Sequence, residues 1–303
     1  MHVPPAQEHD VVADSLTVAP AGRLRDVLSL GKPRLSSLVV STAAAGLVLA
    51  PGRLAWHWGL AAVASIAALV MGANALNCLL ERQVDAAMHR TQNRPLVTGR
   101  VTAGQAVWFG LGSGVAGLMG LAIAANPLTA ALGAVAFISY VWVYTPLKSR
   151  STTALFVGAV PGALPPLMGW TAASGRIDAM GMALFGLLFF WQLPHFLAIA
   201  VYLQQDYARG GLRVFSLVHG RAATKWAILI SSVLLVGVSL APLALGYAGW
   251  PYAAVALVLG GLQLGGAASG FRARRTPQWA RRMLLFTLAY LPLLLLALVV
   301  GGR

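Results

Sequence analysis

Apolar residues in this chain come in long unbroken blocks. Each block is about 17–25 residues, enough for a helix to cross roughly 30 Å of hydrocarbon. The blocks fall at about 35–51, 56–80, 103–125, 127–146, 152–173, 178–203, 224–247, 249–271 and 282–301, with Pro127 and Trp250-Pro251 marking where adjacent blocks part. The pattern predicts an all-α, polytopic membrane protein with nine transmembrane helices.

Composition agrees with the pattern. The chain is 58% hydrophobic and 10% charged, with mean hydropathy +0.74, whereas soluble domains carry about 25% charged residues. Formal net charge is +14, and its placement fixes an orientation. Nineteen of the 22 Lys+Arg fall on the N-terminal segment and the loops after blocks two, four, six and eight; only Arg53, Arg176 and Arg303 fall on the other side. Positive residues stay cytoplasmic, so the N-terminus is expected inside and the C-terminus outside, in a bacterial inner membrane. Basic residues confined to short juxtamembrane loops speak for anionic lipid and against nucleic acid. Residues 1–24 are expected to form a disordered cytoplasmic tail without the apolar core of a signal peptide, leaving 25–303 as one membrane domain. The single Cys78 excludes an internal disulfide and gives no metal-cluster spacing.

Three groups of polar residues interrupt the apolar pattern. Asn77, Glu81 and Asp85 follow at intervals of four at the end of the second block. On a helix they share a face, drifting about 40° per step. Acids beside a bilayer are costly unless a cation or a wet cavity receives them. Arg82, Arg90, Arg94 and Arg100 follow closely. Acid-held metal plus arginines is what a diphosphate requires, although an ordinary charged helix exit has the same look. The second group is Tyr144, Lys148 and Arg150, leading into a glycine- and proline-rich fifth block from Gly158 to Trp170. Lys148 and Arg150 suit a phosphate or a positive membrane flank, and the prolines suit a kinked helix lining a pocket or close packing. The third group is Trp191-Gln192-Leu193-Pro194-His195-Phe196, running on to Asp206-Tyr207. A histidine inside a span, with Gln192 one turn before it, marks a polar lining.

Taken together, Asn77, Glu81, Asp85, Met88, Arg90, Thr91, Arg94, Pro95 and Leu96, then Tyr144 to Lys148, Gly162 to Trp170, Trp191 to Phe196 and Asp206-Tyr207 resemble the protoheme IX farnesyltransferases (haem O synthases), a branch of the UbiA-type prenyltransferase superfamily. The resemblance covers about residues 25–300. The first motif points only to the superfamily; the Trp191–Phe196 block and the Gly158–Trp170 segment point to the haem branch. Relatives acting on quinones usually carry a second acidic motif where this chain has His195 and Asp206. The chain departs from the pattern in three places: Gln83 stands where an acid is common, Gln204-Gln205 where a basic residue is frequent before Asp206, and the stretch from Gly211 to Leu217 lacks the usual proline. Arg209 and Arg213 are candidates to compensate.

The resemblance implies a bundle of nine helices around a central cavity. It implies transfer of the farnesyl group of farnesyl diphosphate to a vinyl group of haem B, leaving the hydroxyethylfarnesyl side chain of haem O. On this reading Asn77, Glu81 and Asp85 hold Mg2+, and Arg82, Arg90, Arg94, Lys148 and Arg150 receive the diphosphate. Catalysis rests on Glu81, Asp85, Lys148 and His195. Trp191, Gln192, His195, Asp206 and Tyr207 are candidates for the haem or second site. Tyr144, Trp170, Trp191 and Phe196 are candidates to face a carbocation. Haem is substrate here, and the product implies a link to haem A synthase and terminal oxidase assembly. An aromatic, quinone-precursor prenyltransferase and a membrane transporter remain the alternatives.

Overall fold

The computed structural model describes residues 24–52 and 54–301. The tail expected at residues 1–24 lies almost wholly outside the described residues, as does Arg303. Every described element is helical. Eight helices are long and apolar enough to cross a membrane: Trp56–Leu80, Ala103–Ala124, Pro127–Leu147, Ala154–Ser174, Ala179–Tyr202, Gly220–Ala244, Trp250–Arg272 and Thr276–Gly301. The shorter apolar helix Pro33–Leu49 precedes them. At 17 residues it is about 26 Å long, the lower end of what spans a bilayer. We number these nine long helices first to ninth in chain order. They match the nine apolar blocks of the sequence.

Local chemistry sets the ends. Thr102 opens the third helix with a capping box to Gln105. Asn126 caps the fourth, where Pro127 fills a position that needs no backbone donor. Asp178 accepts from Gly181 N at 3.0 Å to start the sixth. Gly175 closes the fifth at φ 69°, a left-handed conformation that needs glycine.

The second helix packs on the third, the first on the fifth, the fifth on the sixth, and the sixth on the seventh and ninth. The fifth and sixth are the most enclosed. In lipid the hydrophobic effect does not draw helices together, so close packing and interhelical hydrogen bonds must. The first and fifth helices meet almost backbone to backbone, since a side chain at Gly46 would run into the Pro166 carbonyl and one at Gly169 into that of Ala43. Polar stitches join other neighbours: Asn126 Nδ2 to the Thr171 carbonyl at 2.8 Å, Gln263 Nε2 to Ser232 Oγ at 2.8 Å, and Ser239 Oγ with Tyr290 Oη at 2.9 Å. Large apolar residues such as Trp108, Ile123 and Val300 stay exposed on the outside, where lipid would meet them.

Candidate functional site

The second helix stops at Leu80, and Glu81 (φ −92°, ψ 9°) joins it to the short helix Arg82–Ala87. Asn77, Glu81 and Asp85 therefore do not lie on one unbroken helix, as their spacing predicts. The four-residue ladder still carries across the joint: Glu81 N donates to Asn77 O at 3.0 Å and Asp85 N to Glu81 O at 2.8 Å. All three side chains are buried, at 2%, 6% and 1% exposure.

Each of the three meets a cation. Lys148 Nζ donates to Glu81 Oε1 at 3.0 Å and Oε2 at 3.4 Å. Arg94 pairs with Asp85. Lys32 Nζ donates to Asn77 Oδ1 at 2.7 Å, while Asn77 Nδ2 donates to Thr145 Oγ1 at 3.1 Å. Lys148 sits where burial pulls an ammonium down, yet the Tyr144 oxygen and the Glu81 carboxylate outweigh it and hold Lys148 above the ordinary lysine range. Burial pulls Lys32 below that range, with Arg94 and Lys148 adding to the effect against Cys78 and Glu81. Asp85 and Glu81 are thus partly enclosed ion pairs, in which loss of one partner leaves the other uncompensated.

The fourth helix delivers Lys148 through a widened, π-helical stretch, Ser139–Tyr144. Pro146 lies just beyond it and donates no backbone hydrogen bond, which favours such a register change. Thr145 Oγ1 bonds back to the Tyr140 carbonyl at 2.8 Å, and Lys148 Nζ lies 6.0 Å from the Tyr144 ring centroid.

The N-terminal link meets the same region. Leu24–Leu30 is a short helix, and Lys32 then adopts φ 50°, ψ 61° before Pro33 opens the first long helix. A non-glycine residue in this region costs on the order of 1–3 kcal/mol. The turn is tied down: Ser36 Oγ donates to Gly31 O at 2.6 Å and Asn74 Nδ2 to Ser36 Oγ at 3.1 Å.

Asp206 is buried in the short helix Gln204–Arg209. Its Oδ1 accepts from His89 N at 2.8 Å, and Arg90 and Arg209 lie at 4.0 and 3.9 Å. It thereby pins the loop after the second helix to the end of the sixth. Arg90 also stacks over Tyr207 at 5.7 Å. A cavity opens beside this cluster, lined by Tyr144, Lys148, Phe196, Tyr207 and Arg213 together with apolar groups such as Leu155 and Phe215.

His195 sits deeper. Its Nδ1 pairs with Thr287 Oγ1 at 2.8 Å, and its ring stacks on Trp191 with centroids 4.8 Å apart. Trp191 Nε1 donates to the Thr287 carbonyl at 2.7 Å. Gln192 Nε2 donates to Ala159 O at 3.2 Å, and Gly162 leaves the space its amide occupies. Phe196, beside His195, reaches the cavity wall.

Most of the residues expected from the sequence are therefore gathered at one end of the bundle. Arg82 and Arg150 are exposed, and Arg150 contributes its carbonyl to Arg213 at 3.3 Å. Arg100 serves a different purpose, pairing with Asp26 at 2.9 Å. Trp170 packs edge-on to Tyr247 in the core and does not line the cavity. Lys32, Thr145 and Thr287 are contacts that sequence spacing did not single out. A lysine between a glycine and a proline at the entry of a span was the available signal for the first; a hydroxyl in an apolar run was the only one for Thr287.

Among the described residues no three His, Cys, Asp or Glu side chains form a metal cage. Glu81 and Asp85 are hard oxygen donors, and two carboxylates suffice for Mg2+ when phosphate oxygens and water complete its shell. The residues present fit that ion.

Comparison with known proteins agrees with this architecture. Residues 38–291 match the UbiA prenyltransferase family. A protoheme IX farnesyltransferase of Anaeromyxobacter sp. (strain Fw109-5) is 56% identical over 279 residues, 92% of this chain and 94% of the relative. That of Myxococcus xanthus is 47% identical, covering 90% and 93%. Among solved structures, a digeranylgeranylglyceryl phosphate synthase superimposes with TM-score 0.78 at 16% identity, covering 92% of this chain and 98% of the other. A UbiA homolog from Archaeoglobus fulgidus bound to DMAPP and Mg2+ gives 0.62 at 15% identity, covering 90% and 99%. At such low identity the structures speak for the fold alone. The length of the match and the identity to the curated relatives place the chain in the UbiA prenyltransferase family, on its protoheme IX farnesyltransferase branch.

Proposed function

We propose that this protein converts haem B to haem O, with farnesyl diphosphate as donor, in the bacterial inner membrane with its N-terminus cytoplasmic. The observation that carries the reading is the pairing of two buried acids, Glu81 and Asp85, with Lys148 and Arg94, of which Lys148 also lines the neighbouring cavity, in a chain whose relatives are named protoheme IX farnesyltransferase.

Glu81 and Asp85 would hold Mg2+, which when bound supplies Lewis-acid neutralisation of the departing diphosphate. Arg94 and Lys148, released from those acids, turn to the phosphate oxygens, and Arg90 and Arg213 supply further positive charge at the mouth. The allylic C–O bond breaks with its electron pair leaving on the diphosphate. C1 of the farnesyl cation bonds to the terminal carbon of the haem vinyl group. Water adds to the adjacent carbon and loses a proton, giving the hydroxyethylfarnesyl chain. Tyr144 and Phe196 line the cavity where the cation would form and present aromatic faces to it. Lys148 and Tyr207 bound the same space, so the prenyl tail has an apolar wall and a charged mouth.

Thr287 occupies Nδ1 of His195, which leaves Nε2 for the iron or for the water that adds. Asp206 and Tyr207 act through the loop they anchor. The product suits a haem A synthase and terminal oxidase assembly downstream. The test compares wild type with His195→Ala in two titrations, haem B followed by its absorption spectrum and farnesyl diphosphate by calorimetry. The variant should lose haem affinity by tenfold or so, about 1.4 kcal/mol, and keep its diphosphate affinity. Unchanged haem spectra and undiminished haem O formation would reduce His195 to a packing residue.

A further inference from the structure

Among the described residues three cations contact the Asn77–Glu81–Asp85 ladder, and two of them are paired with acids. Lys148 is paired with Glu81 and Arg94 with Asp85. Lys32 has a neutral partner, the Asn77 amide oxygen at 2.7 Å, and no carboxylate within ion-pair distance among the described residues. A half-buried ammonium whose partner is a neutral amide is weakly compensated, and it favours an incoming anion.

The backbone around Lys32 is built to hold it there. Lys32 takes a left-handed conformation rare for a side-chain-bearing residue, the kind of local strain that persists where surroundings over-determine it. Those surroundings are specific. Gly31 lies against Met71 with no room for a side chain. Asn74, one turn before Asn77, bonds to Ser36 and is itself bonded by Tyr140 at 3.3 Å. Asn77 is fixed from its other end by Thr145. Two asparagines of the second helix thus clamp the entry of the first, one through its turn and one through its lysine.

Resting on the prenyltransferase reading above, we propose that Lys32 is a diphosphate-binding residue of this site and that Asn77 is its positioning residue, holding the ammonium ready in the absence of substrate. Asn77 acts on the diphosphate through Lys32: its oxygen accepts from the ammonium and its amide group donates to Thr145. On substrate arrival the ammonium exchanges an amide oxygen for a phosphate oxygen, a charge-assisted bond about twice as strong. No covalent step is involved.

The test uses the full-length protein in lipid nanodiscs and titrates inorganic pyrophosphate with Mg2+ by calorimetry. Lys32→Met should weaken pyrophosphate binding about tenfold or more, Lys32→Arg should recover most of it, and haem B titration should be unchanged in both. Asn77→Ala should weaken binding too, and the double variant Lys32→Met/Asn77→Ala should bind no worse than Lys32→Met alone. If Lys32→Met does not fold, the wild-type chain answers instead: Lys32 should react with an amine-directed reagent, and pyrophosphate should protect it. Wild-type affinity in Lys32→Met, or no protection of Lys32 in wild type that binds pyrophosphate, overturns this inference alone. Fully additive losses overturn the role of Asn77. Absence of pyrophosphate binding by wild type overturns the proposed site itself and this inference with it.

Discussion

At the scale of single residues the site is a balance of charges held close to the membrane edge. Asp85 is 1% exposed and pairs with Arg94, so removing its charge affects both stability and chemistry. Asp85→Asn keeps the shape and should lower turnover more than a hundredfold. Its cost in stability should stay near the 3–5 kcal/mol of a broken buried pair, and thermal melting in detergent separates the two effects. Turnover close to wild type in that variant would remove Asp85 from the chemistry. Gln83 is exposed on the short helix after Glu81, outside the buried ladder. Gln83→Asp should therefore leave turnover within about twofold of wild type, measured as haem O formed per minute, since surface changes away from special features rarely exceed 0.5 kcal/mol. The geometry behind these proposed roles was partly legible in the sequence. The four-residue interval of Asn77, Glu81 and Asp85 survived the helix break because the backbone ladder continues through it. The Lys32–Asn77 contact was not legible in the sequence: the two residues are 45 positions apart, and nothing in local spacing reports a contact of that reach.

At the scale of elements, the nine long helices follow from apolar runs that are hard to read in any other way, and their caps follow from Thr102, Asn126 and Asp178. What the runs conceal is irregularity. The stop at Leu80 and the π-helical stretch before Pro146 set the direction of Glu81 and Lys148, and hydrophobic period reports neither. The three internal prolines of the fifth helix suited a pocket lining or close packing equally, and in the structure all three are buried. There the close approach of Gly46 to the Pro166 carbonyl gives a direct test. Gly46→Ala should force the first and fifth helices apart and destabilise by about 1–3 kcal/mol, seen as a lower melting temperature in detergent. An unchanged melting temperature would mean that this crossing is looser than the backbone contact implies.

At the scale of the whole molecule, Lys32 bonds to Asn77, Asn77 to Thr145, Lys148 to Glu81 and His89 to Asp206, so the N-terminal link and the loops after the second, fourth and sixth helices share one end of the bundle. Those are the loops in which the sequence concentrates its positive charge, and the orientation proposed above puts that end in the cytoplasm. The loop at Ile177, after the fifth helix, should lie on the other side. In a Cys78→Ala background, Gln92→Cys and Ile177→Cys should label with an impermeant thiol reagent from opposite faces of inverted vesicles; labelling from one face would contradict the arrangement. Under the function proposed above, the charged mouth at that end is the place for the diphosphate, and the His195–Thr287 pair, deeper in the bundle, the place for the porphyrin. The most direct test of the central claim is to incubate membranes containing the protein with haem B, farnesyl diphosphate and Mg2+, then separate the extracted haems by chromatography. Haem O should accumulate, and should not when EDTA removes the metal or when Asp85→Asn replaces the wild type. Haem B recovered unchanged from the complete reaction, with the protein folded and both substrates bound, would contradict the account.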